Sequence, residues 1–355
     1  MPFSLLCLGN PLLDIQANCP AEFLEKYGLK ANDAILAEEK DMPIFEDILQ
    51  YDAKYLAGGA AQNTARGAQY VLPADSVVYC GCVGEDKFAD MLREANKKEG
   101  LFNAYRVEKD IPTGKCAVIV TQNGAARSLV TDLSAANHYK VEHLKTPEIW
   151  KYVEEASTYY VGGFHLTVCV PAILALGEHA AANNKLFTMN MSAPFLCQFF
   201  KDQMDSVAPY WDIVIGNESE AAAYAESHNL GTTDVTEIAK AIAVLPKANT
   251  KRPRHVVITQ GADSTVVVTA DVTGVTSSKV YAINPIAASD IVDTNGAGDS
   301  FAGGFVGSLV GGKSFDDSID VGHWLASWTV RLNGPAYVLF CSLTQYTFAN
   351  RKDYV

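Results

Sequence analysis

The stretch D-T-N-G-A-G-D-S-F at 293–301 constrains this chain more than any other feature. It follows a run that we predict to be extended, Ser289 to Val292, and it leads into a predicted helix. The glycines Gly296 and Gly298 allow a tight turn in which successive N–H groups point the same way. Together with the positive end of the following helix, these groups form a site for an anion, most naturally a phosphate. Asp299 in the first helical turn is then suited to take a proton from a hydroxyl group that attacks phosphorus.

The same stretch also has a purely structural interpretation, which the residues alone leave open. Asp and Gly before a helix are common in ordinary turns and helix caps. Asn295-Gly296 is a hairpin signal, but no alternating strand follows it. The glycine pair is not a dinucleotide fingerprint, because Phe301 stands at the third glycine position. The pattern therefore indicates either a helix cap or a phosphate site with a base beside it.

Composition excludes several classes of protein. A chain of 355 residues with 48% hydrophobic and 19% charged residues is typical of a soluble globular protein with a sizeable core. A formal net charge of −13 argues against nucleic-acid or membrane partners, which attract basic surfaces. There is neither a signal-peptide pattern at the start nor an apolar run long enough to span a bilayer. We therefore expect a cytoplasmic protein, which can also be nuclear, with its eight cysteines reduced and buried.

Strand and helix patterns alternate from Glu148 onward, which predicts a mostly parallel sheet with helices on both faces. A short apolar strand, Phe3 to Gly9, is followed closely by Asp14, at the sheet edge where ligands bind in α/β folds. Two β-rich excursions interrupt the alternation, and one contains a predicted hairpin with its turn at Asn123-Gly124. We predict that the excursions, 15–58 and 104–137, form a small lid over a large domain of residues 1–14, 59–103 and 138–355.

Residues 307–314 match the P-loop pattern G-x-x-x-x-G-K-[ST], but the context argues against a P-loop. A P-loop needs a preceding strand, whereas these residues continue the helix that begins near Asp299. Gly311-Gly312 fits the end of that helix better. Ser314, followed by Asp317, fits the cap of the next helix.

The 293–301 stretch resembles the C-terminal signature of the ribokinase-like (phosphofructokinase B) superfamily. In that superfamily the loop is an anion hole, and its second Asp is the catalytic base. Further segments, up to about Tyr337, are most similar to the adenosine kinase family. They are G-N-P-L-L-D at 9–14, I-L-A-E at 35–38, G-G-A-A-Q-N at 58–63, R-S-L at 127–129, residues 132–140, G-G-F-H-L-T-V at 162–168 and G-N-E-S-E at 216–220.

The resemblance implies transfer of the ATP γ-phosphate to the 5′-hydroxyl of adenosine with Mg²⁺ present, by a protein expected to be a monomer. It implies that Asp299 is the base, that the N–H groups of Gly296, Ala297 and Gly298 stabilise the transferred group, and that Arg127 neutralises phosphate charge. The residues that it implies for substrate binding are Asn10, Leu12, Asp14, Leu36, Gly58, Gly59, Asn63, Cys116, Leu129, Leu133, Asn137, Phe164, His165 and Asn295. Those implied for ATP and phosphate are Asn190, Asn217, Glu220, Thr259 and Gly261, with Mg²⁺ near Glu220.

Two alternatives remain: a sugar kinase of the same superfamily, and a non-catalytic nucleoside-binding protein on the same fold. The intact Asp299 disfavours the second, because a protein without activity has no need of the base. The chain also departs from the family pattern twice. His165 stands where animal relatives usually have a second Phe, and we expect the charge of its ring to depend on pH. The segment after Gly334-Pro335 lacks the proline-containing ending of relatives.

Overall fold

The structure is a computed structural model that describes residues 3–31, 33–121, 126–332, 334 and 337. Its strands are β1 Leu5–Leu8, β2 Leu12–Asn18, β3 Ala34–Leu36, β4 Lys54–Gly58, β5 Val77–Gly84, β6 Phe102–Glu108, β7 Lys115–Thr121, β8 Ala126–Asp132, β9 Thr158–Val161, β10 Leu186–Asn190, β11 Ile213–Asn217, β12 Arg254–Gln260, β13 Asp263–Asp271 and β14 Gly274–Tyr281. Its helices are α1 Ala21–Lys26, α2 Ile44–Asp47, α3 Ala60–Val71, α4 Lys87–Lys98, α5 Val141–Leu144, α6 Pro147–Glu155, α7 Val170–Asn183, α8 Pro194–Phe199, α9 Lys201–Val207, α10 Glu218–Ser227, α11 Val235–Ala243, α12 Ala297–Val310 and α13 Phe315–Thr329.

Within the described residues, the larger sheet has nine strands in the order β14-β13-β12-β11-β10-β9-β1-β5-β6. Its pairs are parallel from β12 to β6, and only the pairs β12–β13 and β13–β14 at one edge are antiparallel. Helices cover both faces. The predicted architecture, a mostly parallel α/β sheet with helices on both faces and a second small sheet, is confirmed.

The central strand β1 shows why this sheet is buried on both faces. Leu5 and Cys7 pack with residues of α3 and α12, whereas Leu6 and Leu8 pack with residues of α6 and α7 on the other side. Successive side chains of a strand alternate between faces, so a continuous apolar run is what a strand between two helical layers requires. The chain leaves β1 at its carboxyl end and passes directly into the site described below.

The smaller sheet has five strands in the order β3-β8-β7-β2-β4 within the described residues. Side chains of β7 alternate between its faces: Ala117 and Ile119 contact apolar residues of α1 and α2, while Cys116 and Val118 pack on the opposite face. Since β6 pairs with β5, the larger sheet continues past residue 104, where we had placed the second lid segment. The division into a large domain and a lid stays a prediction.

The region before the 293–301 stretch differs from the expectation. An extended run was predicted at Ser289 to Val292, but Ala288–Asp290 forms one turn of 3₁₀ helix. The N–H groups of Val292 and Asp293 both donate to the carbonyl of Val330, at 2.8 and 3.0 Å, after the end of α13. Because these donors bond to a helix end, the segment does not join a sheet. The strands of the predicted hairpin, β7 and β8, are confirmed, while its Asn123-Gly124 turn lies outside the described residues.

The rejection of a P-loop at 307–314 is confirmed. Gly307 lies inside α12, and Gly311 is the cap at the end of that helix. Ser314 caps α13, and its hydroxyl oxygen accepts a hydrogen bond from the N–H of Asp317 at 3.1 Å. The pattern therefore spans a helix end and a helix start.

Close packing of α12 against α3 positions the catalytic candidates. A Cβ atom on Gly303 would lie 2.6 Å from the carbonyl oxygen of Thr64, so only glycine permits this approach. The contact fixes the first turn of α12 beside the first turn of α3. It therefore brings Asp299 next to Asn63.

The described cysteines are free and buried, as expected. No helix in the part of the chain that the structure describes has both the length and the apolar character needed to cross a bilayer.

Candidate active site

A cavity lies between the carboxyl ends of β1 and β9 and the face of the smaller sheet that carries Cys116. Ligands of open α/β sheets bind at this edge. Most of the predicted substrate residues meet there. Those that line the cavity are Asn10, Leu12, Asp14, Leu36, Gly59, Asn63, Cys116, Leu129, Leu133, Phe164, His165 and Asn295, together with Asp299.

Two predicted substrate residues do not line the cavity. Asn137 is exposed on a 3₁₀ turn. Gly58 lies behind Asp14, and a Cβ atom at Gly58 would sit 2.2 Å from the carboxyl carbon of Asp14. Gly58 therefore leaves room for the Asp14 carboxylate instead of contacting a ligand itself.

Sequence reasoning missed other lining residues, among them Thr131, Thr167 and Phe195. The Phe195 ring lies 6.1 Å from that of Phe164, measured between centroids. Phe195 follows the carboxyl end of β10, as Phe164 follows that of β9, and this shared position was the signal that could have found it.

Asp299 lies in the first turn of α12, after Gly296, whose φ of 73° is left-handed. Its Oδ2 accepts a hydrogen bond from Nδ2 of Asn63 at 2.9 Å. Burial raises the pKa of Asp299 to about 6, and the Asn63 bond opposes that rise. A carboxylate with this pKa is still ionised at pH 7 but is a stronger base than an exposed Asp.

The turn that precedes Asp299 has the form of an anion site. The first N–H groups of a helix have no carbonyl acceptor within the helix, and α12 begins at Ala297. Apart from its chain neighbours and its own helix, no atom of the described residues lies within 4 Å of the position that a Cβ on Gly298 would take, so the backbone is open to a ligand there. The charge of a phosphate would be favoured at this helix end.

Asp14 follows β1 and forms part of β2, on the wall of the cavity. Burial, reinforced by the negative charges of Asp299 and Asp293, raises its pKa to about 7, while Arg66 opposes the shift. Two acidic side chains thus share one poorly hydrated site. Hydroxyl groups of a ligand would supply the hydrogen bonds that an ionised Asp14 lacks.

Arg127 pairs with a carboxylate of the protein itself, and the phosphate-neutralising role expected for it stays a prediction. It lies in β8, is buried, and forms an ion pair with Asp293, the first residue of the 293–301 stretch. Asp293 is fully buried and also accepts hydrogen bonds from the N–H of Asn295 at 2.6 Å and of Gly334 at 2.7 Å. In this structure Arg127 therefore joins the smaller sheet to the loop that forms the anion site.

Asn10 and His165 form a buried pair on the cavity wall. His165 Nδ1 lies 2.8 Å from Asn10 Oδ1, and Asn10 Nδ2 donates to the carbonyl of Phe164 at 3.3 Å. We expected the charge of His165 to depend on pH, but burial lowers its pKa to about 3. The imidazole is therefore neutral at any pH near neutrality.

The predicted phosphate residues lie in or just after the carboxyl-terminal parts of the next three strands, β10, β11 and β12, and do not line the cavity. Asn217 caps α10, and Glu220 completes the cap: its Oε2 accepts from the Asn217 N–H and its Oε1 from Asn217 Nδ2, both at 2.9 Å. Burial raises the pKa of Glu220 to about 7, and the charge of Asp299 adds to the rise. The other three are Asn190 at the end of β10, Thr259 in β12, and Gly261 in the turn after it.

Glu220 is the carboxylate that the resemblance assigns to Mg²⁺. Among the described residues, no three His, Cys, Asp or Glu side chains are grouped as a metal site would require. Magnesium in phosphate sites commonly keeps several waters and uses one or two carboxylates with the phosphates of the substrate. Glu220, whose two oxygens are already bonded to Asn217, fits contact with such a hydrated ion through water.

Comparison with known proteins places the chain in a family. Residues 21–339 match the model of the pfkB family of carbohydrate kinases. The adenosine kinase of Schizosaccharomyces pombe is 52% identical over 332 residues, which cover 94% of this chain and 95% of that protein. Adenosine kinase of Anopheles gambiae, solved with P1,P4-di(adenosine-5) tetraphosphate, superposes with a TM-score of 0.91 at 41% identity, covering 95% of this chain and 98% of that one.

A second solved structure agrees. Adenosine kinase of Schistosoma mansoni in complex with adenosine and AMP has a TM-score of 0.87 at 34% identity and covers 94% and 97% of the two chains. Both the identity and the coverage extend over nearly the whole length. The chain belongs to the pfkB family of carbohydrate kinases and, within it, to the adenosine kinases, which are phosphotransferases acting on a hydroxyl group.

Proposed function

We propose that this chain transfers the γ-phosphate of ATP to the 5′-hydroxyl of adenosine, forming AMP and ADP, with Asp299 as the base. The observation that carries the proposal is the placement of Asp299. It is partly buried at the start of α12, bonded to Asn63, and faces the same cavity as Asp14. One carboxylate can thus bind hydroxyl groups while the other removes a proton next to an anion site.

The reaction follows from these positions. Asp299 accepts the proton of the 5′-hydroxyl while the hydroxyl oxygen bonds to the γ-phosphorus. The bond from that phosphorus to the β-phosphate oxygen breaks, which releases ADP. The N–H groups of Gly296, Ala297 and Gly298 stabilise the charge on the transferred group. A carboxyl group whose pKa is about 6 is mostly ionised at pH 7, so Asp299 can accept a proton as soon as the substrate binds.

The acceptor site fits a nucleoside. Asp14 and Asn63 would bind the ribose hydroxyls. The rings of Phe164 and Phe195, whose centroids are 6.1 Å apart, would contact the adenine ring. Leu36, Leu129 and Leu133 supply the apolar wall of the cavity. The Schistosoma relative was solved with adenosine and AMP, the substrate and product of this reaction.

Magnesium would accompany ATP, held by the phosphates and, through water, by Glu220. When bound, such an ion neutralises phosphate charge. We further propose a cytoplasmic monomer that acts in purine salvage, since its product returns a free nucleoside to the nucleotide pool.

ADP release with adenosine, ribose or fructose as acceptor tests the proposal. With adenosine we expect turnover that yields AMP, at a rate at least about 100-fold above the rate with either sugar. A smaller acceptor would leave protein groups that fit the ribose hydroxyls and the adenine ring without partners. A preference for ribose or fructose would favour a sugar kinase. No turnover with any acceptor, in a protein that binds adenosine, would favour the non-catalytic alternative.

A further inference from the structure

Asn10 and His165 form a buried, hydrogen-bonded pair on the cavity wall. Asn10 follows β1, and His165 lies in the 3₁₀ turn Gly163–Thr167 after β9. Both line the cavity, and their side chains are bonded to each other at 2.8 Å. Asn10 is 5% exposed and His165 is fully buried, so water competes little for these bonds.

The hydrogen bonds determine which atom of each side chain faces which partner. The carbonyl oxygen of Phe164 only accepts, so it takes the amide nitrogen of Asn10, and the amide oxygen then faces His165. Nδ1 of His165 must therefore carry the ring proton. Because the ring is neutral, Nε2 has a lone pair and no hydrogen.

If His165 served only to fill space, this arrangement would be unfavourable. Nε2 of His165 is buried and has no hydrogen-bond partner within the described residues. Its ring packs against Tyr139 at 5.2 Å, a contact that a phenyl ring could also make. A Phe at this position would avoid the unpaired nitrogen but would lose the bond to Asn10.

We propose that His165 is a positioning residue that holds the Asn10 amide in one orientation, with the N–H that Phe164 does not take available to an acceptor atom of the nucleoside. The inference rests on the proposed function, since it assigns a role in binding adenosine. Without the Nδ1–H, the Asn10 side chain keeps, among the described residues, only its 3.3 Å bond to Phe164 and can rotate away from the binding orientation. His165 thus acts on the substrate through Asn10 and does not need to contact it.

A double-mutant cycle tests this role. The variants are His165→Phe, Asn10→Ala and the two combined, each measured for adenosine affinity by calorimetry, for KM and kcat, and for thermal stability. We expect His165→Phe to weaken adenosine binding about five- to tenfold and to change kcat less than about threefold. In the Asn10→Ala background the same substitution should change the adenosine affinity less than about twofold. The thermal midpoint of His165→Phe should be at least that of the parent.

The control is His143→Phe, since the ring of His143 also packs against Tyr139, at 5.5 Å, but does not line the cavity. It should leave adenosine affinity unchanged. Equal losses from His165→Phe in both backgrounds, or unchanged affinity in the parent, would overturn the positioning role while leaving adenosine turnover by the parent intact. A parent that neither binds nor phosphorylates adenosine would overturn the proposed function and this inference together.

Discussion

Replacing Asp299 by Asn should make the ligand-free protein more stable, although it removes the proposed base. Burial raises the pKa of this carboxyl from 3.8 to about 6. One pKa unit corresponds to about 1.4 kcal/mol, so a shift of about two units costs up to ~3 kcal/mol of unfolding free energy when the group is ionised. Asn is neutral at every pH and can still accept the hydrogen bond from Asn63.

The pH dependence has a definite sign. Because the pKa is higher in the folded state, the native protein retains a proton between pH 3.8 and about 6 that the unfolded chain has lost. Stability therefore falls as pH rises through this window, and the full cost is present at pH 8. Asp299→Asn should be up to ~3 kcal/mol more stable than the parent at pH 8, with about half that difference at pH 5.

Urea denaturation without ligands, at pH 5 and pH 8, measures this difference. The control is Asp202→Asn, which changes an exposed Asp in the first turn of α9 and should alter stability by less than about 0.5 kcal/mol. If Asp299→Asn were less stable than the parent at pH 8, or equally changed at both pH values, the argument from the buried charge would be refuted.

Three further substitutions follow from the geometry. Asp14→Ala should raise the adenosine KM about five- to 150-fold while ATP affinity is retained, because unpaired buried hydroxyls cost ~1–3 kcal/mol; unchanged adenosine kinetics would remove Asp14 from the site. Gly58→Ala should raise the same KM, since its Cβ would lie 2.2 Å from the carboxyl carbon of Asp14, and an unaltered KM would show that the carboxylate can move without loss. Lys313→Ala should change kcat by less than about threefold, a fraction of 1 kcal/mol, because 307–314 is a helix end. A loss of several orders of magnitude in folded Lys313→Ala protein would revive the P-loop.

Local sequence signals were enough to predict the α/β fold class and the position of Asp299 in the first turn of a helix, because each is encoded by neighbouring residues. Buried parallel strands such as β1 are continuous apolar runs, and α12 begins where glycines precede a helical pattern. Strand β2 was missed because Asp14 and Gln16 alternate with apolar residues, so the segment does not have the apolar pattern of a buried strand. Its one buried polar residue, Asp14, lines the cavity.

Contacts between distant segments could not be predicted in the same way. The ion pair of Arg127 with Asp293 joins residues 166 positions apart, and nothing near either one marks the partner. The neutrality of His165 depends on complete burial, which only the packed structure supplies. The resemblance drew attention to Arg127 and His165, but their charge and pairing depend on the three-dimensional surroundings.

The most direct test of the central claim is kcat of Asp299→Asn with adenosine and ATP, together with the affinity of the same variant for each substrate. A positioned base contributes ~10²–10⁴-fold, so we predict a fall in kcat of at least ~100-fold with both affinities retained within about threefold. Such a pattern marks the loss of an interaction made only in the transition state. A folded Asp299→Asn protein with near-parental kcat would contradict the assignment of Asp299 as the base.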